Sequence, residues 1–393
     1  MRILLISHTC QSITEGQPKA HALASLPGVT LRLLVPDRWH RYGQWRLAQK
    51  PVNPSFEFQI GKVRFPKVGP AQSYLHYYPH LADSLREFRP DVIDLWEEPW
   101  SLLSVHASRL RDKWLPNAKI VSETEQNIDK KLPFPFERFR SYTLRHADFA
   151  VGRSAEAVAV LRRKGFTGPA QVVPNAVDSE LFRPMDRATC RNQLNLSGFV
   201  VGYVGRLVEE KGLLDLMNAV ALCPPDINLL LVGNGPLRPI LDQQSRQPNL
   251  ARRVTLLDAK PLADLPELMN ALDVLVLPSQ TTPRWKEQFG RVLIEALACG
   301  TPVIGSDSGA IPDVVGNGGL IFPERNPAAL ADAIRQLHRD PIRARALGES
   351  GRRHTLQHCT WLAVARKMHD IYEQVLSAPQ TSPHALTTAR ATS

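Results

Sequence analysis

Two carboxylates and two cations have the types and spacing to hold a polar ligand. Glu287 and Glu295 lie eight residues apart. Apolar residues between Arg291 and Cys299 recur at helical spacing, and Gly300, Thr301 and Pro302 stop that helix before a buried strand. Glu295 therefore falls on the helix. Glu287 precedes its first turn, where unpaired backbone N–H groups point outward and can meet ligand oxygens. Such a pair can hydrogen-bond two separate sets of hydroxyls on one extended ligand. Arg206 and Lys211 stand five apart in the run from Gly202 to Gly212, which reads as a strand, a glycine turn at Gly205 and then the start of a helix at Leu213. A guanidinium makes forked contacts and an ammonium supplies a compact charge, so the two can neutralise a diphosphate without a metal. Each feature alone would be an ordinary solvated charge. Gly233 and Gly235 form a second glycine turn after a strand, a type that also serves only to reverse the chain.

The elements that must position these residues are legible as short apolar runs. Arg2 to Ser7, Leu31 to Val35, Val92 to Leu95, Ile120-Val121, Phe149 to Val151 and Gln171 to Val173 read as buried strands of a parallel sheet, with room between them for crossover helices such as Tyr78 to Arg89. A second series follows at Phe199 to Gly205, Asn228 to Gly233, Val254 to Leu257, Val274 to Leu277 and Pro302 to Gly305. Ligands of open α/β sheets sit beyond the carboxyl ends of strands, and most of this second series ends at Gly or Pro, so the second domain is expected to hold the ligand. The polar stretch from Phe182 to Gly198, with Pro184, reads as the interdomain linker. Trp361 to Leu376 has apolar residues at helical spacing and predicts a final helix. The expected organisation is residues 1–178 as a first domain, 179–376 as a second, and 377–393 as a disordered tail.

Composition narrows the class. Of 393 residues, 43% are apolar and 22% charged, which excludes disordered, collagen-like and coiled-coil chains, and the length calls for two large domains. The net charge of +10 divides unequally: the chain before Pro184 carries +8 and the rest +2. Five scattered cysteines form no C-x-x-C pair, so neither a disulfide framework nor a zinc site is expected. The opening apolar run Ile3 to Ile6 is too short for a signal-peptide core, and no stretch approaches ~18 apolar residues, so a cytoplasmic location is expected.

Taken together, these segments resemble family four of the retaining glycosyltransferases, a bacterial branch of which is suggested by Thr282 to Gly290. The resemblance spans nearly the whole chain. It rests on the E-x7-E spacing of Glu287 and Glu295, on Gly205-Arg206-Leu207 with Lys211-Gly212, on Gly233-Asn234-Gly235-Pro236, on Val173 to Asp178, and on Ser306 to Asp313. It implies the GT-B architecture, two Rossmann-like doubly wound α/β domains facing across a cleft, with the final helix crossing back to the first domain. It implies a nucleotide-diphosphate sugar as donor, a saccharide or lipid-linked acceptor hydroxyl, a hexosyltransferase-type reaction and a setting in envelope polysaccharide or glycolipid synthesis. Catalytic roles fall to Glu287, Arg206 and Lys211. Gly205, Gly233, Gly235, Phe289, Gly290, Glu295 and Gly16 would line the donor, Glu295 on the ribose and the backbone at Phe289 and Gly290 on the sugar. No cofactor and no metal are implied.

Departures from the family pattern are equally specific. The loop after the first strand offers Gly16 alone where two glycines are usual. No histidine stands in the usual place beyond a first-domain strand; Glu98 and Glu125 do, and they are acceptor-side candidates or else caps and ion-pair partners. His106 reads as structural, and Trp96 and Trp100 as packing residues or sugar platforms. Lys130, Lys131, Arg138, Arg140, Arg145 and Arg162 to Lys164 surround the apolar Leu132 to Phe136, a mixture suited to a peripheral contact with an anionic membrane or to a solvated surface. Two rival readings are a catalytically silent nucleotide-sugar-binding protein on the same fold and a basic nucleic-acid-binding protein; for the latter no recognition motif is present, and no nucleic-acid partner is expected.

Overall fold

The computed structural model describes residues 1–41, 44–65 and 72–378. Among the described residues nine strands fall in the first half: β1 (Arg2–Ile6), β2 (Thr30–Pro36), β3 (Arg38–Arg41), β4 (Gln44–Leu47), β5 (Glu57–Gly61), β6 (Val92–Leu95), β7 (Lys119–Thr124), β8 (Phe149–Gly152) and β9 (Ala170–Val172). Seven of them form a parallel sheet in the order β5-β2-β1-β6-β7-β8-β9, while β3 and β4 pair as an antiparallel hairpin. Six more strands, β10 (Phe199–Val204), β11 (Ile227–Val232), β12 (Val254–Leu257), β13 (Val274–Leu277), β14 (Val303–Ser306) and β15 (Gly319–Phe322), form a second parallel sheet in the order β12-β11-β10-β13-β14-β15. Most central strands carry continuous apolar runs because helices cover both faces: Ile3, Leu4, Leu5 and Ile6 are all buried, whereas β6 and β7 also bury Asp94 and Glu123. In each sheet the order reverses beside the first strand, between β1 and β6 and between β10 and β13. A crevice opens at the strand ends there.

Two expectations require correction. The stretch read as an interdomain linker contains a helix, Arg187–Leu194, capped by Asp186 and fixed to the second domain: Arg191 donates to the Ala271 carbonyl at 2.9 Å and pairs with Asp273. Its single buried side chain, Cys190, leaves too little apolar periodicity for the helix to show in the sequence. The tail also starts later than expected, since Ser377 still closes the last helix; residues 379–393 lie outside the described residues.

That last helix, Trp361–Ser377, crosses to the first domain. Val364, Ala365, Met368, Ile371, Tyr372 and Val375 are buried against Ile3, Leu5, Leu33 and their neighbours. The two chain crossings run side by side, the Val177 amide donating to the Cys359 carbonyl at 2.8 Å. Beneath the helix lies a buried charged group. Lys19 pairs with Asp94 at 2.9 Å and with Glu123, Arg153 pairs with Glu123, and the Tyr372 hydroxyl donates to Asp94 at 2.7 Å. The Lys19 ammonium and the Arg153 guanidinium also lie over the ring of Trp96, at 4.7 and 5.2 Å. All five cysteines are buried and unbridged.

Candidate active site

The switch point of the second sheet gathers the residues singled out by spacing. Arg206 follows β10 and Glu287 lies in the long loop after β13. Lys211 ends a short 3₁₀ turn, Glu209–Lys211, that leads through Gly212 into the helix Leu213–Ala221. Its ammonium meets Glu287 Oε2, and the Ser279 hydroxyl donates to the same oxygen at 2.7 Å. The Trp285 ring lies 4.9 Å from the ammonium. Glu287 is only 8% exposed, so this counter-charge and hydroxyl fix its orientation. Arg206 is different: its side chain is exposed and makes no hydrogen bond or ion pair among the described residues, while its carbonyl is held by the Tyr203 hydroxyl at 2.7 Å. Glu295, on the helix Arg291–Ala298, is partly buried, and its carboxylate has no hydrogen-bond partner among the described residues. Burial raises its carboxyl above the ordinary range, Arg291 offsetting part of the rise. Arg206 and Glu295 thus keep side chains free of protein hydrogen bonds among the described residues, while Glu287 is an oriented carboxylate.

The glycines act on backbone geometry. A Cβ on Gly233 would stand 1.8 Å from the Gly205 carbonyl, and one on Gly235 would stand 2.3 Å from that of Leu207, so the two glycine turns lock together and aim Arg206. Gly290, at φ +82°, lets the chain turn into the helix Arg291–Ala298 and leaves the first amides facing the crevice. Gly16 lies apart from this group, in the first domain, where a Cβ would meet the Cys10 backbone at 2.7 Å.

The first domain reaches across to the same loop. Asn127 Nδ2 donates to the Glu287 carbonyl at 2.8 Å, Gln288 Nε2 donates to the Glu125 carbonyl at 2.9 Å, and Lys286 pairs with Glu156 at 2.8 Å. The Ala310 amide bonds the Glu287 carbonyl from the other side at 3.2 Å. Sequence reading missed Asn127, Ser279, Gln288 and Ala310: Asn127, Gln288 and Ala310 act through contacts distant in the chain, and Ser279, eight residues before Glu287, lies in an irregular loop with no periodic pattern to mark it. Of the two acceptor-side candidates, Glu98 has both oxygens engaged, by the Thr124 hydroxyl at 2.5 Å and the Glu125 amide at 3.0 Å, whereas the Glu125 side chain is more open. His106 lies in the helix Leu102–Trp114 against Tyr77, and Trp100 packs on Tyr74. A histidine the spacing did not suggest, His8 after β1, stacks on Trp39 and pairs with Glu97 at 2.8 Å. Burial disfavours the Glu97 carboxylate, but His8 and His76 outweigh it and hold the group well below the usual range.

Burial pushes Glu98 up to about 7, against the hydrogen bonds from Thr124 and Glu125. A carboxyl raised in the fold stabilises the fold while neutral, below its unfolded value near 4.5, and that contribution is lost as pH rises through about 7. Glu98→Gln is therefore expected to raise the thermal midpoint at pH 8 by roughly 2–6 °C and to leave it unchanged at pH 4.5. Scanning calorimetry at both pH values checks this, and an equal shift at both would contradict it.

Twin parallel sheets with the ligand groups at the switch point of the second define a two-Rossmann protein of the GT-B class. The family model "Glycosyl transferases group 1" matches residues 186–354. A D-inositol 3-phosphate glycosyltransferase of Corynebacterium jeikeium is 30% identical over 304 residues, covering 72% of this chain and 68% of that protein. The sucrose-phosphate synthase of Thermosynechococcus elongatus superposes with a TM-score of 0.69 at 25% identity, over 96% of this chain and 100% of that one. Anabaena HepE, solved in complex with UDP, has the same fold, with a TM-score of 0.71 at 19% identity over 95% of this chain and 100% of its own. The chain belongs to the glycosyl transferases group 1 family. It spans about half the length, 56% and 48%, of the first curated relatives it matches. No helix among the described residues is long and apolar enough to cross a membrane.

Proposed function

We propose that the protein transfers a glycosyl group from a nucleotide-diphosphate sugar to an acceptor hydroxyl, with retained anomeric configuration. The observation that carries this reading is the pairing of Lys211, Ser279 and Glu287 beside the open Arg206 guanidinium at the switch point. Lys211 and Arg206 bind the diphosphate, Glu287 and the amides at Phe289 and Gly290 hold the sugar hydroxyls, and Glu295 binds the ribose. The acceptor oxygen attacks the anomeric carbon as its bond to the diphosphate breaks, on one face of the sugar, and a departing phosphate oxygen takes the acceptor proton. The two cations stabilise the charge that builds on the leaving group, so no metal is assigned a role. UDP in the HepE structure supports a nucleoside diphosphate as the departing group. Envelope polysaccharide or glycolipid assembly is the proposed setting, and the exposed Phe134 (77%), with Arg138 over its ring, is the proposed point of contact with an anionic membrane.

A screen of UDP-, GDP- and ADP-sugars by thermal shift, followed by product analysis on lipid-linked acceptors and NMR of the new anomeric centre, tests the reading. Binding without transfer or donor hydrolysis would favour a silent nucleotide-sugar binder, and inversion would overturn the stereochemistry. Failure to bind anionic vesicles at low salt would remove the membrane contact.

A further inference from the structure

Behind the donor loop lies a cavity of about 550 Å³, within the range of small-molecule sites. Its walls come from both domains and from the segment where the chain crosses back, and Arg206, Lys211, Glu287 and Glu295 are all absent from its lining. Three cations reach it. Arg153 is only 3% exposed; its two terminal nitrogens are taken up by Glu123 and by the Val173 carbonyl, and its Nε has no hydrogen-bond partner among the described residues, the Glu125 carboxylate standing 4.0 Å away. Arg366 and Lys367, on the last helix, make no ion pair among the described residues. Two carboxylates, Asp313 and Asp370, also line the space, as does the aromatic residue Phe289.

We propose that this cavity binds a small phosphorylated sugar and that its occupancy regulates the donor site. The cations suit a phosphate, the carboxylates accept hydrogen bonds from sugar hydroxyls, and an aromatic ring covers an apolar sugar face. Phe289 links the two sites: it lines the cavity, and the chain runs from it into Gly290 on one side and reaches Glu287 two residues back on the other. A ligand that touches both domains favours the arrangement in which both walls are present. The regulatory effect rests on the proposed glycosyl transfer; binding does not.

Calorimetric titration of the full chain with glucose 6-phosphate, at saturating UDP, tests the site. Binding is expected to persist with UDP present, to be stronger than that of glucose, and to weaken about tenfold or more in Arg366→Ala/Lys367→Ala, whose exposed or half-exposed positions leave the thermal midpoint unchanged. Absence of binding, displacement by UDP, or unaltered affinity in the double variant would overturn the site. With the site intact, glucose 6-phosphate is expected to change the donor KM of the wild type and not of the double variant; an equal response in both overturns the regulation. Retained binding without transfer from any donor would leave the site standing and remove the glycosyltransferase reading instead.

Discussion

Arg206→Ala is expected to lower kcat by about 10²–10³ with no change in thermal stability. The exposed guanidinium has no protein partner among the described residues, so its removal breaks no contact of the folded chain and deletes only its interaction with the ligand. The loss belongs mainly to kcat because charge on the diphosphate grows as the glycosyl bond breaks, and a donor aimed at that charge acts more strongly in the transition state than in the ground state. Lys211→Ala is a useful contrast. It is expected to reduce turnover as much, but also to lower the thermal midpoint, because it strands the buried Glu287 carboxylate with only the Ser279 hydroxyl. Steady-state kinetics and calorimetry on both variants separate the two effects. Near-wild-type turnover of Arg206→Ala would remove the diphosphate role.

Lys19→Met is expected to destabilise the protein by about 3–5 kcal/mol. The ammonium sits between Asp94 and Glu123, and all three groups are almost wholly shielded from water. Burial and the neighbouring Glu123 charge push Asp94 above the ordinary carboxylate range, while Arg153 and Lys19 overcome burial and hold Glu123 below it. Without Lys19 the two carboxyls share Arg153 alone, so one must take up a proton or remain as an uncompensated buried charge. Tyr372→Phe removes one hydrogen bond to Asp94 and is expected to cost less, about 1–2 kcal/mol. Denaturant unfolding at pH 7 measures both. A loss below about 1 kcal/mol for Lys19→Met would show that the site relaxes by admitting water.

The central strands were readable because parallel strands covered on both faces carry unbroken apolar runs, as in Ile3 to Ile6 and Val274 to Leu277. The edge strand β5 and the hairpin β3–β4 were not, since Glu57 to Gly61 is half-exposed and Trp39 is anchored by His8 and His76 from elsewhere. The proposed donor-side groups were legible for a similar reason: Arg206 and Lys211 closely follow β10, and Glu287 and Glu295 flank the start of the next helix, so local pattern places them. Asn127 and Lys19 were not legible. Their partners lie 160, 75 and 104 residues away, and only the fold brings them together.

The returning helix has a consequence for biosynthesis. The first sheet is complete at Val172, yet the helix that covers one of its faces begins only at Trp361. At ribosomal speeds of about 5–20 residues per second, the nascent first domain waits roughly 10–40 s with Leu5, Leu33 and Asp94 uncovered. It emerges first and matures last, so the second domain folds beside an unfinished neighbour.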